Sequence, residues 1–169
     1  MSTVDESTLK SFYESTREAL WRTIAGLTRD DALADDVFQE TYVRFLQSDA
    51  EWRSDEQMKS YLYRIATNVI RDEWRKRKHR ARWSEATEEP AADTTTAADL
   101  RQDVRQVFDR LPPQQRSLLW LAYAEEFEHR EIADILKLKE KSVKVLLFRA
   151  RRRLAALLRS AGIASETTP

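Results

Sequence analysis

Two neighbouring stretches, EIADIL (Glu131–Leu136) and SVKVLLFRARRRL (Ser142–Leu154), decide the fold. The first has the pattern of a short amphipathic helix and the second of a longer one, with only the Lys137–Lys141 turn between them. On the longer helix Val143, Leu147, Ala150, Leu154 and Leu157 share one face, which predicts an apolar back packed on a core. Lys144, Phe148, Arg149, Arg151 and Arg152 spread over the remaining surface. A short helix, a turn and a helix with a basic front have the layout of a helix-turn-helix. Such a second helix fits the major groove, where its side chains reach base edges and its cations meet phosphates.

Working towards the N-terminus, Leu118, Leu119, Leu121 and Ala122 mark another helix, with Pro113 suited to its first turn. Before the Pro112–Pro113 stop, Leu100, Val104, Val107, Phe108 and Leu111 predict one more. Residues 84–99, SEATEEPAADTTTAAD, hold no large apolar side chain and cluster acids with threonines. Such a stretch buries too little surface to offset its ordering entropy, and is expected to be a flexible acidic linker. Upstream, Leu9, Phe12, Tyr13, Thr16, Leu20, Ile24 and Leu27 predict a helix from about Asp5 to Leu27. Val37, Phe38, Thr41, Tyr42 and Phe45 predict a second, Asp31 to Gln47. After a break at Ser48–Arg53, Ser54 and Gln57 have capping-box spacing. They open a third helix, with Met58, Leu62, Ile65 and Val69 as its buried stripe. No Gly or Pro lies between Gln57 and Trp83, so this helix should run on into the basic block beyond Val69.

The expected architecture is therefore all-α. Two small helical modules, 1–83 and 100–162, are joined by the linker, and a disordered tail covers 163–169. No internal repeat is evident. Only 2 Gly and 4 Pro among 169 residues argue against sheets with tight turns and against Gly-rich phosphate loops. The absence of Cys excludes disulfides, thiolate nucleophiles and Cys-type zinc sites. The apolar-dominated run Leu118–Ala124 is far short of the roughly 20 residues a membrane helix needs, so no membrane insertion is expected. No basic and apolar leader opens the chain, and a cytoplasmic location is the expectation.

Net charge is zero, from 29 basic and 29 acidic residues, but the charges are sorted. From Asp30 to Glu56 nine acids face only Arg44 and Arg53. From Arg71 to Arg82 seven bases face Asp72 and Glu73, and from Lys137 to Arg153 eight bases face Glu140 alone. Two basic blocks and one acidic block predict two nucleic-acid contacts and one contact with a basic protein surface. Within the acidic block Asp35, Asp36, Gln39 and Glu40 form a polar patch over about one turn, suited to docking a basic helix. In DEWRKRKHRAR (Asp72–Arg82) Trp74 sits among cations, and Trp83 follows directly. Unstacked bases can pack on aromatic faces while cations track the backbone, although Trp74 also fits the end of the core stripe.

Paired aspartates can also hold magnesium, but that needs a second acidic cluster facing the first, and the other module offers none. His129 with Glu131 lacks a third ligand. No cofactor and no catalytic constellation are expected, so the chain does not read as an enzyme.

ADDVFQETYVRF (Ala34–Phe45), YLYRIATNVIRDEWRKRK (Tyr61–Lys78) and LPPQQRSLLWLAY, REIADIL and SVKVLLFRARRRL (within Leu111–Leu154) occur in this order. Together they resemble the extracytoplasmic-function (ECF) group of bacterial RNA polymerase sigma factors, across both modules. The resemblance implies a factor that binds core RNA polymerase, directs it to promoters and helps melt them. Its DxxQ helix, here Asp36 and Gln39 with Asp35 and Glu40 beside them, would dock on the clamp coiled coil of β′, and the β flap is a further polymerase contact. The Ser48–Arg53 loop with Asn68, Arg71, Asp72, Trp74 and Arg75 would open the −10 element and hold a flipped base. Ser142, Lys144, Val145, Phe148 and Arg149 would read the −35 element. The linker would thread the RNA-exit path. Restraint by an anti-sigma factor, by a kinase acting at Thr94–Thr96, or by expression alone is left open. A free-standing helix-turn-helix regulator is the rival reading, and it leaves the acidic patch without a task.

Several positions depart from the family pattern. Glu128 stands where a Ser or Thr cap is common, Lys137 where Gly is, and Lys141–Ser142 where Gly-Thr is. Val145 and Leu146 are apolar where polar reading side chains are usual.

Overall fold

The computed structural model describes residues 5–83 and 96–163. Seven α-helices follow in order: α1 Glu6–Thr28, α2 Asp31–Gln47, α3 Asp55–Trp83, α4 Thr96–Asp109, α5 Pro113–Leu119, α6 His129–Leu136 and α7 Glu140–Ser160. Among the described residues there is no strand.

The helix ends follow local chemistry. Asp5 caps α1, its carboxylate accepting from the backbone N–H groups of Ser7 and Thr8. Asp30 caps α2 by accepting from the N–H of Leu33 at 3.0 Å. Arg77 of α3 reaches back to that carboxylate at 2.8 Å. The two hydrogen bonds hold the Asp30 carboxyl below its usual range, the Leu33 amide contributing most. At the start of α3, Ser54 Oγ accepts from the Gln57 N–H at 3.2 Å. The reciprocal bond runs one residue further back than a capping box expects, from the Arg53 N–H to Gln57 Oε1 at 2.9 Å. α6 has a comparable device, the Glu131 carboxylate accepting from the Glu128 N–H at 2.8 Å. Glu131 thus satisfies the backbone N–H at the position where a hydroxyl cap was missing.

Two of the expectations for module 2 change. α4 begins at Thr96 and takes in the last residues assigned to the linker; 84–95, Thr94 and Thr95 included, lie outside the described residues, as does most of the expected tail. The run after α5 is not a plain α-helix: residues Trp120–Ala124 widen into a π-helical turn, and Glu126 beyond it takes a left-handed φ of 56°. Lys137, between α6 and α7, is left-handed as well (φ 55°, ψ 48°), so the turn keeps the conformation usually given to Gly.

The core of α1–α3 is built from Leu20, Ile24, Val37, Phe45, Leu62 and Ile70, all nearly inaccessible. An aromatic series fixes the loop between α2 and α3: Phe12 stacks on Phe45 at 5.4 Å, and Phe45 on Trp52 at 4.8 Å. Leu118, Leu121, Ile132, Ile135, Val143 and Leu147 form the second core. These two cores do not stay apart. α3 packs against α6, and Trp120 lies on α1 at Gly26, where a Cβ would sit only 2.1 Å from an indole carbon.

Candidate polymerase and nucleic-acid interfaces

α2 buries Ala34, Val37, Thr41 and Phe45, so its opposite face turns Asp35, Asp36 and Gln39 to solvent. Asp35 Oδ1 accepts from the Trp21 indole N–H at 2.9 Å, which fixes the carboxylate while leaving it exposed. Glu40 is half-buried and pairs with Arg44 one turn on, at 2.5 Å. Asp36 and Glu40 form one wall of a hollow of about 590 Å³, and Asp72, Arg75 and Lys76 of α3 line the other. Two of the predicted docking residues, Asp36 and Glu40, and two of the −10 residues, Asp72 and Arg75, are therefore neighbours across one groove.

Sequence reasoning missed two residues here. Val43 (46% exposed) and Leu46 (63%) continue the outer face of α2 one and two turns beyond Asp36 and Gln39. Their signal was an apolar pair that the buried stripe of α2 did not use.

Along α3, Asn68 and Arg71 are half-buried, while Asp72 and Arg75 are exposed and pair loosely at 4.0 Å. Of the two readings of Trp74, an open stacking face and the end of the core stripe, its packing fits the second. The side chain is half-buried against the core, and the Arg116 guanidinium lies 4.5 Å over its ring. Burial lowers the pKa of Arg116, and the nearby Asp109 carboxylate opposes that shift. The Ser48–Arg53 loop and the first half of α3 line a second hollow, of about 860 Å³. Glu126, Glu128, Glu131 and Asp134 stand along its far side, with Arg130 among them.

α7 turns its basic front outward. Lys144, Arg149, Arg151 and Arg152 are exposed, Ser142 is half-buried near the helix start, and Val143, Leu147 and Ala150 are sealed in the core. The two apolar departures separate here. Leu146 packs on the core, whereas Val145 stays 49% exposed. Phe148 beside it is 51% exposed, with Arg152 5.7 Å from its ring.

Comparison with known proteins places these faces in a family. The Sigma-70 region 2 family matches residues 12–80, which hold α2 and most of α3, and Sigma-70, region 4 matches residues 101–154, which hold the helix-turn-helix. The chain is 31% identical over 128 residues to the ECF RNA polymerase sigma factor EcfG of Rhodopseudomonas palustris, covering 74% of this chain and 71% of that one. This chain belongs to the ECF sigma factors. It is also 28% identical over 160 residues to the ECF sigma factor SigM of Bacillus subtilis, covering 89% of this chain and 94% of that one. In fold it is similar to the sigma factor RpoE of Bartonella quintana, solved with the anti-sigma factor NepR. That match has a TM-score of 0.73 at 26% identity and covers 89% of this chain and 96% of the other. As an ECF sigma factor the chain directs RNA polymerase to promoters, and the reading as a free-standing regulator is set aside. Sigma factors act as transcription initiation factors without enzymatic activity of their own. Among the described residues no helix is long and apolar enough to cross a membrane.

Proposed function

We propose that this ECF sigma factor docks on core RNA polymerase through the outer face of α2, and only then engages promoter DNA through α3 and α7. The observation that carries this reading is the shared groove. Asp36 and Glu40 line it together with Asp72, Arg75 and Lys76 near the basic end of α3, so a basic coiled coil of the β′ clamp would seat next to the DNA that α3 opens. Asp35, Asp36 and Glu40 supply charge-assisted bonds, Gln39 a neutral one, and Val43 with Leu46 an apolar flank. Module 2, residues 100–162, would add a contact to the β flap, and the 84–99 stretch would thread the RNA-exit path.

At the −10 element the Ser48–Arg53 loop, Asn68, Arg71, Asp72 and Arg75 hold the opened strand, with Trp74 as a stacking surface whenever Arg116 leaves it. Opening needs no covalent chemistry, only tighter binding of unpaired than of paired bases, and each stacked base contributes on the order of 1–3 kcal/mol. At the −35 element Ser142, Lys144 and Arg149 meet phosphates and base edges, while Val145 and Phe148 meet thymine methyl groups. The site of action is the cytoplasm.

Run-off transcription from a genomic library with reconstituted polymerase tests this directly. The expected result is a discrete promoter set with both components present and none with either alone. Tight, sequence-specific duplex binding by the protein alone, with no transcription when core enzyme is added, would contradict it.

A further inference from the structure

Part of the seam between α1 and the second module is closed by hydrogen bonds, and part of it is hollow. The Glu125 carboxylate closes the first part, accepting from the Thr23 hydroxyl at 2.6 Å and from the Tyr63 hydroxyl at 2.9 Å. In the second part α1, α4 and the start of α2 enclose a third hollow, of about 730 Å³. Trp21, Phe108 and Trp120 give it aromatic walls, and Val104 and Leu154 extend the apolar lining. Both indoles have already used their N–H groups. Trp21 donates to Asp35 at 2.9 Å, and Trp120 donates to Thr23 Oγ1 at 3.0 Å. What they leave for a ligand is ring surface. Trp120 and Phe108 stand 6.3 Å apart and tilted by 55°, so they form a corner and not a closed stack.

Cations join the aromatic walls. Arg22 and Arg29 of α1 and Arg105 of α4 belong to the lining, against the single carboxylate of Asp31 on α2. Arg29 is loosely paired with Asp109 at 3.8 Å, whose carboxyl is raised by burial against the pull of Arg29, Arg116 and Arg105. Among the described residues Arg22 and Arg105 make no ion pair. Setting Asp31 and Asp109 against the three guanidiniums leaves one positive charge in excess. Asp35, held by Trp21, and Arg116, beside Asp109, offset each other further out.

A ligand that fits brings a flat apolar body for the rings and a strong anion for the guanidiniums. The volume lies within the ordinary range of small-molecule sites, roughly 300–1,000 Å³. One carboxylate saturates one guanidinium fork, whereas a phosphate has oxygens for more than one. Asp31 repels a second anion but accepts from a ligand hydroxyl or amino group. We propose that the hollow between α1 and α4 is a nucleotide-binding site. A nucleobase packs against the Trp21, Phe108 and Trp120 rings, the 5′-phosphate is held by Arg22 and Arg105, and Asp31 faces donors of the sugar or base. This site uses none of the promoter or polymerase contacts proposed above.

Titration of the full chain with GMP and with AMP, followed by calorimetry and tryptophan emission, tests this. Both should bind saturably and quench the emission. Guanosine and inorganic phosphate, each carrying half of the chemistry, should bind at least about tenfold more weakly. Arg22→Ala and Arg105→Ala, at exposed positions, should each weaken GMP by about tenfold with melting unchanged. Val104→Trp should fill the hollow and abolish binding, and Trp21→Phe should remove part of the quench, with helical circular dichroism unchanged in both. Arg75→Ala and Lys144→Ala, on the faces proposed for DNA, should leave GMP affinity at the wild-type value. Absence of saturable binding, or a GMP affinity indifferent to Arg22→Ala and Arg105→Ala, overturns the site. Inorganic phosphate or 2-naphthoate binding as tightly as GMP would make it a plain anion or aryl-anion site and overturns the nucleotide assignment.

Discussion

α3 and α7 carry basic blocks of similar size, yet the fold treats them differently. α7 has a sealed back of Val143, Leu147 and Ala150 and an unobstructed front. α3 is wedged between α2 and α6, with acids beside both halves: Asp36 and Glu40 near its basic end, and the α6 edge near its start. Charge sorting along a sequence marks the two helices alike, and packing is what tells them apart.

The difference can be pushed hardest at the back of α7. Leu147→Ala should destabilise module 2 by about 2–5 kcal/mol through the cavity it leaves. Two melting transitions, with loss of −35-dependent transcription and retention of polymerase binding, are the expected readout in calorimetry and pull-down. A single unsplit transition with both activities lost would mean the modules fold as one unit. At the front of α7, Arg149→Ala should cost about 1–3 kcal/mol of duplex affinity if it reads a base edge. Lys144→Ala, if it meets a phosphate, should weaken all sequences alike and lower the log–log salt slope by about one. Both should leave core binding untouched, which co-purification measures. Replacing the thymines opposite Val145 and Phe148 by uracil should weaken wild type but not a Val145→Ala, Phe148→Ala double variant.

Smaller effects sharpen the contrast. Lys137→Gly removes a side chain from a left-handed position and should stabilise module 2 by up to about 1 kcal/mol, read as a higher melting temperature. At the start of α2 the Asp30 carboxyl is held below its ordinary value, so its contribution is fully present above pH of about 4 and is lost as pH falls through the lowered native value. Arg77→Ala should flatten that acid-side dependence slightly and leave neutral-pH stability nearly unchanged, because the pair is exposed. Denaturation midpoints at pH 3 and pH 7 check both statements.

Local features were the legible ones. α2 at Asp31–Gln47 and α6 at His129–Leu136 have the bounds their apolar periodicity predicts, because that signal is carried by residues of the helices themselves. The Lys137 turn was equally legible, since a helix-turn-helix needs a left-handed residue there whatever its identity. The contact between modules was not. Thr23, Gly26 and Glu125 look like an ordinary helix hydroxyl, an isolated helix glycine and a surface acid; only partners 62 to 102 positions away give them a role. Trp74 shows the same limit. Its place among cations pointed to stacking and its spacing to the end of the core stripe, but nothing nearby in sequence pointed to Arg116. Likewise Val145 and Leu146 are adjacent and chemically alike, and the direction of each side chain had to come from how α7 sits on its core.

Everything proposed for this sigma factor depends on α2 as the anchor, and one substitution tests that claim. With Asp36→Arg, at an exposed position of α2, helical content and melting should match wild type while co-purification with core RNA polymerase is lost. A correctly folded Asp36→Arg protein that still co-purifies at wild-type yield, in near-physiological salt, would contradict the account.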